Sequence, residues 1–446
     1  KASFKTDDLI CNPSNEEAVV VDFMSFIRGQ SLDTRVKDLK APSLFGIQDN
    51  PSAWTFGMMV AEAFARVFKR FPDVALFHII FDSYMENSLK GGERATRIAA
   101  AGGIIRLARI RSDTKVPEQM PKFWACSANK EKFQSFVTSH VLDLARTVNK
   151  SIIFSGTIVD NLSKPALHLN ELGDVQQIDQ LKLKYEEADL RMIPHIGWDI
   201  TMFSRSRVTV ISEDTDVLVL LLHYFEKFHS LGLQNLFLQL GRGEKRRLLP
   251  VHIMFERFGK DFCQEILSAH LATGSDHLSK VGSKRCALTA DPEKSLRRFG
   301  KSGNLDEEQL KVAEEYLVNV LSTSKGLKTF DELRVQVHKK TGSALGLPPT
   351  SYSIRNGHIR RWWYLLKESS NLLTPEHERC LLNALEYGWE DQEGDLYASK
   401  HLHLIPDELS NTCRCKTGCK TRHCSCVKAD GSKCSDFCLC INCENK

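Results

Sequence analysis

From residue 18 to residue 294 the chain alternates short β-branched runs with longer stretches of helical apolar spacing. Few folds accommodate that alternation, because each return to a parallel strand needs a crossover, and the crossovers become helices covering the sheet. The expected strands are Val19–Asp22, Val74–Asp82, Ser151–Ser155, Val208–Ser212 and Asn235–Leu240. Between them Phe56–Phe71, Lys130–Asn149, Leu181–Ile196 and Val251–Ala272 repeat apolar residues at helical intervals. Several runs are almost continuously apolar, as strands covered on both faces are. The fold class is α/β. Beyond about residue 295 the strand signal stops: Asn304–Leu321 reads as an amphipathic helix, and Thr374-Pro375 opens another that runs to Gly388. Leu347-Pro348-Pro349-Thr350 breaks the chain between them. The expected organisation is a first domain over 1–295, a helical region over 296–410 and a cysteine-rich segment over 411–446.

The longest aliphatic run, Val217 to Leu222, is far too short to span a bilayer, so no membrane partner is expected. The formal charge is +4. All of it is accounted for by residues 411–446, where Arg414, Lys416, Lys420, Arg422, Lys428, Lys433 and Lys446 face Asp430, Asp436 and Glu444. The chain is therefore not a generally basic nucleic-acid binder, and contacts to phosphate should be local.

Three expected strands end in aspartate: Val19–Asp22, Ile79-Ile80-Phe81-Asp82, and Val208-Thr209-Val210-Ile211-Ser212-Glu213-Asp214-Thr215-Asp216. In an open parallel sheet the functional crevice lies beyond the carboxyl ends of the strands. Further acids stand in Tyr185-Glu186-Glu187-Ala188-Asp189 and Thr273-Gly274-Ser275-Asp276. One strand-end aspartate is ordinarily an N-cap for the next helix. A converging set is different, because like charges at close range stay ionised only beside cations. Hard oxygen donors select magnesium or manganese over zinc, and two such ions suit phosphodiester hydrolysis. Solvated caps and helix-face charges are the alternative.

In order and residue type, Val19–Asp22, Phe81-Asp82, Glu187-Ala188-Asp189, Ser212-Glu213-Asp214-Thr215-Asp216 and Gly274-Ser275-Asp276 resemble the metal-binding motifs of flap-endonuclease-type PIN nucleases, over roughly residues 18–290. The resemblance implies a metal-dependent endonuclease acting on DNA, with RNA as the alternative. It assigns Asp22, Asp82, Glu187, Asp189, Asp214, Asp216 and Asp276 to two Mg²⁺ or Mn²⁺ ions. On a regular helix Glu186, not Glu187, shares a face with Asp189, so spacing leaves Glu186 or Glu187 open. Leu89 to Arg97 is similar to the base of the family's helical arch, which implies that Lys90 and Arg97 steer the scissile phosphate, with Arg94 one turn earlier. A solvated basic helix face is the plainer account of that run. Val281-Gly282-Ser283-Lys284-Arg285 is similar to the end of the family's duplex-gripping helix-two-turn-helix, though the glycine-rich hairpin is shorter here; Lys284 and Arg285 are its candidate contacts. Gly241-Arg242-Gly243 with Lys245-Arg246-Arg247 reads as a turn between strands or a phosphate loop. Arg360-Arg361-Trp362-Trp363-Tyr364 reads as buried anchors or a single-strand platform.

Nine of the 14 cysteines fall between Cys413 and Cys443: Cys413, Cys415, Cys419, Cys424, Cys426, Cys434, Cys438, Cys440 and Cys443. Three tetrahedral zinc ions present twelve positions, so nine thiolates suffice if three of them bridge. An odd count, paired Cys-x-Cys steps and no cationic-then-apolar leader weigh against a disulfide framework. The pattern resembles the tesmin-like CXC domain of DNA-binding and chromatin proteins. That likeness implies three zinc ions and nucleic-acid contacts through Arg414, Lys416, Lys420, Arg422 and His423, the last standing where the family has a minor-groove tyrosine. With so few apolar residues the segment should be unfolded without metal. The remaining five cysteines, Cys11, Cys126, Cys263, Cys286 and Cys380, read as core residues, and the whole favours a reducing, nuclear compartment. The pairing of these domains looks like mobile-element-associated animal proteins. An alternative function is a catalytically idle DNA-binding or chromatin adaptor.

Overall fold

The computed structural model describes residues 17–28, 54–83, 98–145, 150–159, 162–241, 246–289, 303–322, 326–342, 346–374, 382–392, 394–399, 412–416, 418–421, 423–428, 433–435 and 438–445, together with positions 89, 296, 299, 300 and 324. The chain divides into two compact units. The first contains residues 1–267, 369–379 and 393–396; the second contains 268–368, 380–392 and 397–446. Residues 268–295, expected to close the first domain, thus group with the helical region and the cysteine segment.

The first unit is built on strands β1 (Glu17–Asp22), β2 (Leu76–Ile80), β3 (Ser151–Phe154), β6 (Ala166–Leu169), β7 (Val175–Ile178), β8 (Arg207–Ile211), β9 (Asn235–Leu240) and β10 (Arg247–Pro250), with β4 (Ile158–Val159) and β5 (Leu162–Ser163) forming a separate small hairpin. The sheet order is β10-β9-β8-β1-β2-β3-β6-β7. The middle five strands, from β9 to β3, are parallel, and antiparallel strands finish both edges. Burial explains the composition of the centre, since every residue of β1 and β2 is buried. Odd-numbered positions of β1 and β2 (Val19, Val21, Phe77, Ile79) join Phe23, Phe56, Phe64, Phe123 and Phe133 in one core. The helix Ala188–Phe203 packs on β1 and β2 from the other face.

Several elements differ from expectation. The helix expected over 181–196 begins at Ala188, because Leu181, Leu183 and Tyr185 are buried while Lys182 and Lys184 are exposed, a period of two that belongs to extended chain. The helix expected over 251–272 breaks at Gly259, whose φ is +83°. The β6–β7 hairpin was not expected. Nor was the two-stranded pair β11 (Trp389–Gln392) and β12 (Asp395–Ala398). The helix expected from Thr374 falls largely on residues outside those described, and its end, Ala384–Tyr387, is a 3₁₀ turn.

In the second unit Trp362 and Trp363 are fully buried. Trp362 lies 4.1 Å from the ring of Phe299, and Trp363 stacks on Tyr387 at 5.0 Å. Arg361 donates to the carbonyl of Gly388. The Arg360–Tyr364 run is therefore core anchoring, not a platform for bases.

Burial also sets an acid limit on each unit. His223 in the first unit is pushed down to about 4, chiefly by burial. His358 in the second, whose Nε2–H donates to the Ala272 carbonyl at 2.8 Å, is pushed down to about 4, again chiefly by burial. Folded values below the ordinary one mean that the unfolded chain binds the proton first. The stability is complete above about pH 6.5 and is lost as pH falls towards 4, by about 3 kcal/mol for each histidine. Urea midpoints should fall steadily from pH 7 to pH 4.5; a flat profile would show these histidines to be solvated.

Candidate functional site

β1 lies between β2 and β8, so the chain order reverses beside β1 and a crevice opens at the carboxyl ends of these strands. Pairing sets the register there: Asp22 is opposite Ile80, and Val21 is opposite Ile211. Asp82 and Asp214 follow directly in sequence, so three aspartates stand at the ends of three adjacent strands. Asp22, the last residue of β1, falls on the even-numbered face, on which the helix Ala188–Phe203 packs, and Asp82 reaches that helix through the Ala188 N–H.

Each aspartate also serves a cap. Asp22 Oδ1 accepts from the Ser25 N–H at 2.9 Å, Asp214 Oδ1 from the Asp216 N–H at 2.8 Å, and Asp82 Oδ1 from the Ala188 N–H at 3.1 Å. The last bond joins β2 to the start of the helix Ala188–Phe203. Ser212 links the other two strands: its hydroxyl donates to Asp22 Oδ2 at 3.3 Å and accepts from the Asp214 N–H at 3.1 Å. Capping thus engages at least one oxygen of each of these carboxylates, and Asp22 is held at both.

Glu187 is the N-cap of the helix Ala188–Phe203, with extended backbone (φ −84°, ψ 136°), and Asp189 is in its first turn. The i, i+2 objection to pairing them rests on regular helix geometry, which Glu187 does not have. Glu186 is held from the other side, its carbonyl accepting from the Ser83 N–H at 2.6 Å. Asp22 is buried, Asp82, Glu187, Asp189 and Asp216 are half-buried, and Asp214 is exposed. Among the described residues, groups of three or more ligand atoms mutually within 4.8 Å are formed by cysteines alone. The carboxylates therefore share a rim and do not form a closed cage.

Asp276, Lys284 and Arg285 belong to the second unit. Asp276 is exposed on a turn closed by reciprocal bonds between Ser275 and Leu278 at 3.2 Å. Gly274 there has φ +114°, and a Cβ would meet Lys280 Cα at 2.8 Å. Lys284 and Arg285 open the short helix Lys284–Thr289, and Lys284 Nζ lies 2.7 Å from His270 Nδ1. Lys90, Arg94, Arg97 and Arg422 lie outside the described residues. Gly241 follows β9 and Arg247 opens the antiparallel strand β10, while Arg242, Gly243 and Lys245 of that run lie outside the described residues.

The cysteine segment has geometry of its own. Three sets of four sulfurs lie mutually within 4.8 Å: Cys413, Cys415, Cys419 and Cys424; Cys413, Cys419, Cys434 and Cys440; and Cys413, Cys424, Cys426 and Cys434. Cys413 is common to all three. Sulfur pairs stand at 3.6 Å (Cys413–Cys419), 3.8 Å (Cys413–Cys434), 3.9 Å (Cys424–Cys434) and 3.5 Å (Cys426–Cys438). Tetrahedral zinc with 2.3 Å bonds separates its sulfurs by about 3.8 Å, so the spacing fits that ion. The expected basic contacts divide. Arg414 donates to the Gly342 carbonyl at the end of the helix Phe330–Thr341, and Lys420 pairs with Glu444 at 2.8 Å. Lys416 and His423 are exposed.

Sequence reasoning overlooked Ser212, and it overlooked Arg191, His195 and Asp199. The last three are spaced four residues apart on an otherwise apolar helix, a signal available from helical periodicity.

No family model and no curated protein matches this chain. Among solved structures it is similar to the T5 D15 protein co-crystallised with metal ions, at 13% identity and TM-score 0.33, covering 79% of this chain and 99% of that one. It is also similar to a bacteriophage T5 D15 flap endonuclease pseudo-enzyme–product complex with DNA and metal ions, at 13% identity and TM-score 0.33, covering 80% and 99%. Likenesses at that TM-score carry no weight for fold or function.

Proposed function

We propose that this protein is a divalent-metal-dependent endonuclease that hydrolyses phosphodiester bonds of DNA, RNA being the alternative substrate. The observation that carries this is the set of aspartates Asp22, Asp82 and Asp214 at the carboxyl ends of the adjacent strands β1, β2 and β8, with Glu187 and Asp189 introduced by the helix that Asp82 caps. The donors are all hard oxygens, the set that takes Mg²⁺ or Mn²⁺. When bound, two such ions polarise the phosphodiester and stabilise its departing oxygen. Asp22, Asp82, Glu187, Asp189, Asp214 and Asp216 would hold them; Asp276 lies in the second unit. Ser212 keeps Asp22 and Asp214 at a fixed spacing. Lys90 and Arg97 are proposed to orient the scissile phosphate.

We further propose that the cysteine segment holds three Zn²⁺ ions. Cys413, Cys424 and Cys434 would bridge, and Cys415 with Cys419, Cys426 with Cys438, and Cys440 with Cys443 would complete three tetrahedra. Spacing and shared membership of the sulfur sets support this. Nucleic-acid contact then falls to Lys416, Arg422 and His423, and a reducing, nuclear setting suits the thiolates.

Incubating the protein with flap, duplex and single-stranded DNA and with RNA, in Mg²⁺, Mn²⁺ or chelator, tests the proposal. Turnover that disappears with chelator is expected. Tight binding without turnover of any substrate would instead mark the idle adaptor.

A further inference from the structure

The face of the helix Ala188–Phe203 that meets the sheet is unusual in its chemistry. Arg191, His195 and Asp199 recur every four residues, and all three are fully buried. Charged and polar groups there need partners, because unpaired burial is costly. One partner is His78 of β2, itself fully buried on the even-numbered face. Its Nδ1 lies 3.2 Å from His195 Nδ1, and its Nε2 lies 3.4 Å from Asp199 Oδ1. The other Asp199 oxygen faces Arg205 Nε at 3.5 Å.

One hydrogen bond joins the two rings, between His78 Nδ1 and His195 Nδ1. The Asp199 contact lacks hydrogen-bond geometry and leaves His78 Nε2 and both Asp199 oxygens without a hydrogen-bond partner. Burial, His78 and Arg191 hold His195 well below its ordinary value, in the neutral form that suits a bond between two rings. No single metal position is offered, because the two close contacts use opposite sides of the His78 ring.

Arg191 continues the stripe towards the crevice. Its guanidinium donates to the Ser83 hydroxyl and to the Gly156 carbonyl, in the segments that follow β2 and β3. The helix is thus keyed to β2 at two levels, which blocks both sliding and rotation. One turn before Arg191 the same helix carries Glu187 and Asp189 and gives its Ala188 N–H to Asp82.

We propose that His78, His195 and Arg191 are positioning residues: a buried hydrogen-bonded set that fixes the helix against β2 and thereby places Glu187 and Asp189 beside Asp82. This deepens the metal-nuclease reading and rests on it. Partners that hydrogen-bond metal ligands directly change metal affinity or activity by about 10- to 100-fold, and a set that acts through the helix should lie at the low end, about 10-fold.

The test combines ¹⁵N histidine spectra with Mn²⁺ binding and cleavage kinetics on the whole protein. Wild type should show one protonated and one unprotonated Nδ1 in the pair His78 and His195. His195→Leu removes that bond and should weaken Mn²⁺ binding and lower kcat by about 10-fold, with KM for nucleic acid unchanged. His195→Asn, whose amide can donate or accept near the Nδ1 position, should recover most of both. Both Nδ1 atoms unprotonated in the wild type would overturn the proposal even if the leucine variant did not fold. Wild-type Mn²⁺ affinity and kcat in His195→Leu would overturn it, as would equal losses in both variants. A wild-type protein that binds no Mn²⁺ and cleaves nothing would overturn the nuclease reading beneath it.

Discussion

Chelating zinc from the protein is expected to unfold the cysteine segment completely. Its buried cluster consists of Cys413, Cys419, Cys424, Cys426, Cys434 and Cys438, with Val427 and the three remaining cysteines packed around them. Hydrophobic burial on that scale cannot offset the ordering of more than thirty residues. The backbone bonds that tie the segment together, Leu439 N–H to the Cys413 carbonyl and Ile441 N–H to the Cys415 carbonyl, depend on the sulfurs being drawn together. Structural zinc supplies about 10–16 kcal/mol in small cysteine domains. A strong chelator should therefore release three zinc ions per chain and make the backbone after the already exposed Lys416 and Lys420 cleavable by trypsin at once. Cys413→Ser, which removes a bridging sulfur, should lose more metal than Cys443→Ser, which removes a terminal one. Unchanged protease resistance after chelation would refute the cluster.

The parts of the fold legible in the sequence are those governed by one strong signal. Parallel strands buried on both faces write themselves as apolar runs, and their ends were visible because Asp22, Asp82 and Asp214 interrupt those runs. The strand-end aspartates could be named for the same reason. Weak strands were not legible: Val175–Ile178 is mostly exposed and half glutamine, and Trp389–Gln392 carries two acids. The start of the helix Ala188–Phe203 was misplaced because buried Leu181, Tyr185 and Ala188, four and three residues apart, imitate one helical face in a short window. The buried polar set on that helix escaped notice because a histidine or arginine among apolar residues signals nothing until its partner on the sheet, His78, is known. Composition could not distinguish a contact with phosphate from a contact within the protein, and Arg414 proves to be the latter.

Asp214→Asn with Asp216→Asn is expected to abolish cleavage, a loss well beyond the 10- to 100-fold set by outer partners. The amide at residue 214 can still accept the N–H of residue 216, so the helix Thr215–Ser230 keeps its N-cap. What disappears is charge. An asparagine oxygen binds a hard cation far more weakly than a carboxylate, and the two changes fall where the crevice opens. Thermal midpoint should change little, because asparagine caps about as well as aspartate. A large fall in stability would mean that these residues serve the fold first.

The most direct test of the central claim is a titration of Mn²⁺ into metal-free protein, with binding and DNA cleavage followed together, for the wild type and for Asp22→Asn. Asp22 is the buried member of the rim, held by Ser25 and Ser212, and it has no exposed neighbour on its own strand to replace it. Wild type should bind Mn²⁺ saturably and begin to cleave over the same concentration range, and Asp22→Asn should do neither at concentrations that saturate the wild type. Equal Mn²⁺ binding and equal cleavage by the two proteins would contradict the assignment of the crevice as a metal-dependent active site.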